Sequence, residues 1–250
     1  MQIIKMNDKL VSIIVPVKNA EKYIKNSILS ILHQSYKFIE VIVIIDNCSD
    51  SSELIVNSIK KRDKRVAVHK LKGSTGVANA RNLALKLSQG RYIAFCDSDD
   101  VWTPKKLEIQ LNLMNSSGAA ISHGSAILID ENGAKLGLRK SPRLVDYYML
   151  RYRNFLINSS CLVDIQKIGT LHQKSVRHED YEMWLYIFKK SYYSIAPSKP
   201  IVYYRIHKKN LTSNKLKSIA WMINIQKLHG INLLEIFINL FKNFYSRICI

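Results

Sequence analysis

The stretch Gly90-Arg91-Tyr92-Ile93-Ala94-Phe95-Cys96-Asp97-Ser98-Asp99-Asp100-Val101-Trp102 runs an apolar segment straight into a knot of carboxylates. The unbroken apolar residues Tyr92 to Cys96 predict a short strand buried on both faces, as in a parallel sheet. Asp97, Asp99 and Asp100 then sit at its carboxyl end, where open α/β sheets gather their ligands. Three carboxylates in four residues repel one another, so either some stay protonated or a cation holds them ionised together. Oxygen donors with few histidines nearby favour magnesium or manganese over zinc. A solvated acidic turn has the same local composition; its place at a strand end is what argues for a site.

Working outward, the apolar run Leu10 to Val17 predicts a first strand, Glu21 to His33 a helix, Ile39 to Ile45 a second strand, and Ser52 to Lys61 a second helix. A short strand over Val66 to Leu71, a flexible loop at 72–76 and a helix over Val77 to Leu87 lead back to the acidic stretch. Strand and helix alternating at this spacing predict a parallel sheet with right-handed crossovers, hence a Rossmann-like nucleotide-binding half. Beyond Trp102 a helix with Pro104 in its first turn extends to about Met114. Ile121 to Ile129 reads as one strand closed by the turn Asp130-Glu131-Asn132-Gly133, a hairpin signal. Asn154 to Val163 reads as another strand, and Ile201 to Ile206 as a third.

The 250 residues, 47% of them hydrophobic, suffice for one sizeable domain with an appendage. The net charge of +19 is spread along the chain and expects an anionic partner: a nucleotide diphosphate, an anionic lipid headgroup or nucleic acid. No ribonucleoprotein, helix-turn-helix or zinc-finger pattern accompanies it, so a nucleic-acid-binding module is the lesser reading and no nucleic acid is expected. A sugar nucleotidyltransferase would need a glycine-rich, basic loop after the first strand, and residues 15–22 lack one. The loop at 72–76 lacks P-loop spacing. Four scattered cysteines read as reduced and cytosolic. Neither a signal peptide nor a run of about 20 apolar residues is present, so the chain is expected to be soluble or peripheral.

Read together, Gly76-Val77-Ala78-Asn79-Ala80-Arg81-Asn82, the stretch 90–102, Pro104 and Leu107 form an ordered string that resembles the central signature of the family 2 glycosyltransferases. The resemblance implies the GT-A fold, a nucleotide-diphosphate sugar donor and inversion at the anomeric carbon. Val15-Pro16-Val17-Lys18-Asn19 resembles the family's first strand end without its tyrosine, which implies that Pro16, Val17 and Asn19 line the nucleotide. Asp46 stands where the family carries an aspartate on the nucleobase, and a carboxylate can accept the imide N–H of uracil; on local grounds Asp46 reads equally as a turn cap. Ser98 joins the donor set. Arg81 reads two ways, as a fork on the diphosphate or as a buried brace for Asp97.

His178-Glu179-Asp180-Tyr181-Glu182-Met183-Trp184-Leu185 resembles the family's Glu-Asp motif, which implies Asp180 as the catalytic base. In isolation it is also an acidic helix first turn, and Trp184 reads as core. Tyr204-Arg205-Ile206-His207 resembles a pattern in which the histidine completes a metal site with Asp97 and Asp99, and imidazole suits manganese better than magnesium. The expected organisation is a nucleotide-sugar half at 1–118, an acceptor half at 119–212 built on a mixed sheet, and a C-terminal segment of amphipathic helices at 213–250. In the last of these, apolar residues from Leu233 to Phe244 leave only a narrow polar stripe. Such a helix covers a core, contacts a second copy or lies in a membrane interface. The expected setting is cytoplasmic, on an anionic inner membrane face, with a glycan or lipid-linked acceptor. A catalytically silent relative that binds glycan is the remaining alternative.

Overall fold

The computed structural model describes residues 7–73, 76–190, 192–207 and 215–248. Its first part alternates strand and helix: β1 (Asn7–Val17), α1 (Ile24–Leu32), β2 (Ile39–Ile45), α2 (Ser52–Lys60), β3 (Val66–Lys70), α3 (Val77–Leu87) and β4 (Gly90–Phe95). These strands are parallel in the order β3-β2-β1-β4. The continuous apolar runs predicted this: the side chains of Ile13, Ile14, Val41, Ile42, Ile93 and Ala94 are all buried, so both faces of the sheet are covered. α1 and α2 pack on one face through Ile24, Ile28, Ile31, Val56 and Ile59. Ala80 and Ala84 of α3 bury against the other. Gly90 is required where β4 enters: a Cβ there would lie 2.5 Å from the Leu10 carbonyl oxygen, and its N–H donates to Ser12 Oγ at 2.9 Å.

The second part is built from shorter pieces: β5 (Val101–Trp102), α4 (Lys106–Ser117), β6 (Ile121–Ser122), β7 (Ala126–Ile129), β8 (Lys135–Arg139), β9 (Leu144–Val145), α5 (Tyr147–Tyr152), β10 (Leu162–Asp164), α6 (Ile165–Ile168), α7 (Glu179–Phe188), β11 (Ser194–Ile195) and β12 (Val202–Arg205). β10 joins β4 antiparallel and extends the sheet through β6, β11 and β9, making it mixed. A second sheet runs β5-β12-β7-β8. The architecture is the mixed α/β plan expected. The hairpin at Asn132-Gly133 also forms, with Gly133 at φ +90° and Asp130 Oδ1 accepting the N–H groups of Asn132 and Ala134.

Two expectations are corrected. Ile121 to Ile129 is two strands in two sheets, because the chain crosses at His123-Gly124-Ser125 and Ile201 fills the space a side chain at Gly124 would need. Asn154 to Val163 is not one strand either: a 3-10 turn at Asn158–Ser160 precedes β10 and turns three buried polar residues inward. The helix after Pro104 starts at Lys106 and reaches Ser117, where Gly118 ends it in the left-handed conformation.

The chain closes with α8 (Lys215–Leu228) and α9 (Leu233–Ile248), separated by Gly230 at φ +76°. The proposed boundary at 212–213 lies outside the described residues. Ile225, Gln226 and Ile236 are buried in the contact of these helices with the domain. Cys48, Cys96 and Cys161 are free thiols, and Cys249 lies outside the described residues.

Candidate active site

The acidic loop leaves β4 and is pinned from far along the chain. Ser159 Oγ accepts the Asp97 N–H at 3.0 Å. Asp100 is 1% exposed and its carboxylate accepts the Arg205 backbone N–H at 3.0 Å. The Arg205 side chain donates to the Asp99 carbonyl at 3.0 Å and to the Asp130 carbonyl at 2.7 Å. Burial first, then the charges of Asp99 and Asp97, push Asp100 well above the usual carboxylate range. Asp99 is raised too, by burial and Asp97, with His207 opposing. The side chains of Asp97 and Asp99 stay 32% and 29% exposed, so these two remain open to solvent while Asp100 holds the loop.

Arg81 sits on α3 beneath this loop, 4% exposed. Its guanidinium donates to Asp97 Oδ1 at 2.7 Å, to Glu179 Oε1 at 2.9 Å and to Gln173 Oε1 at 3.2 Å. Burial alone would lower it, but Asp97 and Glu179 carry it above its ordinary value. Of the two readings of Arg81, these contacts match the brace. The bridge brings the start of α7 against the end of β4, and Asp180, next to Glu179, then lines a cleft of about 430 Å³ with Arg81, Asp97, Asn154 and Tyr204. Asn154 Nδ2 donates to Asp180 Oδ2 at 3.3 Å. Ahead of α7, His178 occupies the left-handed region at φ +58°, a conformation unusual for a residue with a side chain.

A smaller pocket of about 330 Å³ adjoins the ends of β1 and β2, lined by Asn19, Tyr23, Asp50, Glu131 and His207. Asn19 and Asn47 both take positive φ, +48° and +49°, which asparagine tolerates and which turns both loops sharply. Asn19 Oδ1 accepts the Ser49 N–H at 2.9 Å, tying the two loops together. Asp46 is 3% exposed; its Oδ2 accepts the Gly76 N–H at 3.2 Å and lies 3.9 Å from Lys18 Nζ. Pro16 and Val17 are buried within β1, and the Val17 carbonyl accepts the Asp46 N–H, so neither side chain reaches the pocket. Ser98 is half-buried in the acidic loop.

His207 Nε2 lies 2.7 Å from Asp99 Oδ2, and its ring lies 5.4 Å from that of Tyr23. Among the described residues no three His, Cys, Asp or Glu side chains converge closely enough to hold a cation unaided. Asp99 and His207 supply a carboxylate and an imidazole, a donor pair that suits manganese or magnesium when a ligand's own oxygens complete the shell. Burial and then the charge of Asp97 raise Asp99, and a cation there would offset both, so the residues fit the group. Asp97 stands beside them with one oxygen committed to Arg81.

Sequence reasoning passed over Tyr23, Asn154 and Ser159, which are ordinary in their local contexts and meaningful only once folded. Glu179 and Arg205 stood inside motifs that were singled out for their neighbours. The largest cavity, about 870 Å³, lies away from all these residues, between α4, β8 and the segment 196–200.

A family model, glycosyl transferase family 2, matches residues 12–178. An uncharacterized glycosyltransferase of Haemophilus influenzae is 40% identical over 221 residues, 88% of each chain. The Escherichia coli protein WfaP, a UDP-Glc:alpha-D-GlcNAc-diphosphoundecaprenol beta-1,3-glucosyltransferase, is 34% identical over 224 residues, 89% of this chain and 88% of that one. Among solved structures, S. aureus TarS 1-349 in complex with UDP-GlcNAc superposes with a TM-score of 0.69 at 20% identity, over 86% of this chain and 65% of that one. The present chain thus spans slightly under two thirds of that structure.

Proposed function

The chain belongs to glycosyl transferase family 2 and has the GT-A fold, and from that membership and its acidic cleft we propose that it transfers a sugar, with inversion, from a UDP-sugar to a hydroxyl of a lipid-linked glycan in surface-polysaccharide synthesis. One observation carries the reading: Arg81 draws Asp97 and the Glu179-Asp180 pair, from distant parts of the chain, into the same cleft. WfaP, a UDP-Glc:alpha-D-GlcNAc-diphosphoundecaprenol beta-1,3-glucosyltransferase, and TarS, bound to UDP-GlcNAc, support the donor and acceptor classes.

In this reading Asp46 and the Asn19 loop receive the nucleoside, and the donor diphosphate lies over Asp97, Ser98 and Asp99. A manganese or magnesium ion on Asp99 and His207, with Asp97 alongside, would neutralise charge developing on the leaving diphosphate. Asp180 accepts the proton of the acceptor hydroxyl as that oxygen attacks the anomeric carbon from the face opposite the diphosphate. Asn154 orients the Asp180 carboxylate. Arg81 acts by position, holding Asp97 and Glu179 without presenting its own charge to the donor.

The setting follows from α9. Leu233, Leu234, Phe237, Ile238 and Phe241 face outward, between 42% and 71% exposed, while Ile236 and Asn239 face the domain. Spacing of one, four and five residues aligns them as one stripe. No helix among the described residues is long and apolar enough to cross a membrane. An apolar stripe on a strongly basic protein suits the surface of an anionic bilayer, where a lipid-linked acceptor resides; a dimer contact is the competing use.

The test is a thermal shift with UDP, GDP, CDP and dTDP, each with and without manganese, followed by transfer assays. Stabilisation by UDP only with metal, lost in Asp99→Ala, supports the donor reading. A folded Asp180→Asn protein that transfers sugar at the wild-type rate would refute the catalytic assignment. For α9, Phe237→Glu with Phe241→Glu abolishes sedimentation with anionic vesicles if the stripe binds lipid and leaves it unchanged if the stripe does not.

A further inference from the structure

The cleft around Asp180 carries a feature that the transfer chemistry leaves unused. Its outer wall is Trp221 of α8, half-buried against the residues that precede α7. The Trp221 ring meets the His178 ring edge-on at 5.5 Å, and Ser218 on the same helix lies 3.3 Å from His178 Nε2. The Arg177 guanidinium stands 5.5 Å from the Trp221 ring centre and is exposed. From the opposite side Arg139, at the end of β8, lines the same cleft. Among the described residues neither Arg139 nor Arg177 pairs with a carboxylate.

Charge makes those two arginines informative. Asp97, Glu179 and Asp180 all border the cleft, and Arg81 offsets one of the three. An anionic acceptor would be repelled from Asp180 unless further positive charge stood nearby, and Arg139 and Arg177 are the two guanidiniums placed to supply it. They come from separate elements, so they can hold a group with several anionic oxygens from two sides, the geometry in which guanidinium outperforms ammonium. Beside them an indole presents the flat apolar surface on which a pyranose ring stacks.

We infer that Trp221, Arg177 and Arg139 form the acceptor subsite, the indole stacking the acceptor sugar and the two guanidiniums holding the diphosphate that carries it. This rests on the reading that Asp180 marks the acceptor side of the cleft, and it deepens that reading by naming the anionic group recognised. The donor's own diphosphate belongs at Asp99 and His207, on the side of the smaller pocket.

The probes are a short-chain alkyl diphosphate, the same compound bearing N-acetylglucosamine on its diphosphate, and neutral octyl N-acetylglucosaminide. Each is titrated calorimetrically into the full chain, with UDP and manganese as the control ligand. Tryptophan fluorescence adds a site-specific signal, because Trp102 and Trp184 are 2% and 0% exposed while Trp221 borders the cleft. Both diphosphates are expected to bind at least tenfold more tightly than the neutral glycoside. Arg177→Gln and Arg139→Gln each weaken the diphosphates about tenfold and leave UDP unchanged. Trp221→Ala removes the gain from the sugar, and Trp221→Phe restores most of it. Wild-type affinity for alkyl diphosphate in both arginine variants overturns the inference, as does a neutral glycoside binding equally well. Weakened UDP binding in those variants also overturns it, since the arginines would then serve the donor. If the diphosphate probes bind as expected but no nucleotide sugar is ever turned over, the subsite stands and the transfer reading fails.

Discussion

The parallel half that ends at Phe95 and the half that begins at Ile121 contribute facing walls of one cleft, yet they are held together by different means. In the first, strands of five to eleven residues form the sheet, and β1, β2 and β4 are buried on both faces along most of their length. In the second, strands of two to five residues depend on partners elsewhere, and buried polar contacts such as His123 with Ser194 add to an apolar core built around Trp184, Leu185 and Phe188. The contrast teaches that the first wall is a local product of sequence. The second wall is a tertiary product, positioned on the first by Arg81, Arg205 and His207.

The largest effect should come from the chemistry that the second wall delivers. Asp180→Asn is expected to lower kcat about 10³-fold, with melting temperature unchanged because the side chain is only half-buried. A loss of stability instead would show that Asp180 belongs to the scaffold. Next comes the joint itself. Arg81→Met leaves Asp97 and Glu179 facing each other without their shared cation, and chemical denaturation should register a loss of about 3 to 5 kcal/mol. A near-neutral outcome would mean that the two walls are not coupled through this residue. Within the first wall, Gly90→Ala forces a methyl group against the Leu10 carbonyl and should cost about 2 kcal/mol without altering the KM for donor.

A pH-dependent effect separates polar from apolar support behind the acidic loop. Lys106 is fully buried, bonded to Gln110 Oε1 at 2.8 Å and stacked on Trp102 at 3.9 Å, and burial lowers it from 10.5 to about 7. The unfolded chain therefore holds more protons between pH 7 and 10.5, and stability from this group rises with pH across that window by at most about 1.4 kcal/mol per pH unit. Lys106→Met should flatten that part of the profile in urea titrations at pH 7 to 10. An unaltered slope would show that Lys106 keeps an ordinary protonation equilibrium inside the fold.

The same contrast governs how much could be read from the chain alone. The runs Leu10 to Val17, Ile39 to Ile45 and Tyr92 to Cys96 announced β1, β2 and β4, since a strand buried on both faces has no polar alternation to obscure it. Trp184 was expected in the core and lies there, edge-on to Phe95 at 6.1 Å. Of the residues singled out, Asp97 and Asp180 line one cleft, and His207, 2.7 Å from Asp99, lines the neighbouring pocket. Pro16 and Val17 are interior to β1, because a strand end read from sequence does not say which residue is the last one covered. The split of Ile121 to Ile129 between two sheets was hidden, since both pieces are apolar and the crossing depends on Ile201, far along the chain. Ser159 and Tyr23 had no signal at all; their roles are created by what folds against them.

Arg81 and Ser27 hold Asp97 from upstream, but the bonds that fix Asp99 and Asp100 reach far downstream: Arg205 to Asp100 spans 105 residues and His207 to Asp99 spans 108. A chain emerging from the ribosome carries the aspartates long before it carries their anchors. Until residue 205 has been made, the nascent protein is expected to have a formed parallel sheet topped by a loose, strongly anionic loop. Arrested chains ending near residue 170, probed by limited proteolysis, should be cut after Phe95, whereas the full chain should resist; protection in the arrested chain would break the argument. Activity in this molecule is thus a matter of timing as well as place, switched on only as the last third of the polypeptide arrives.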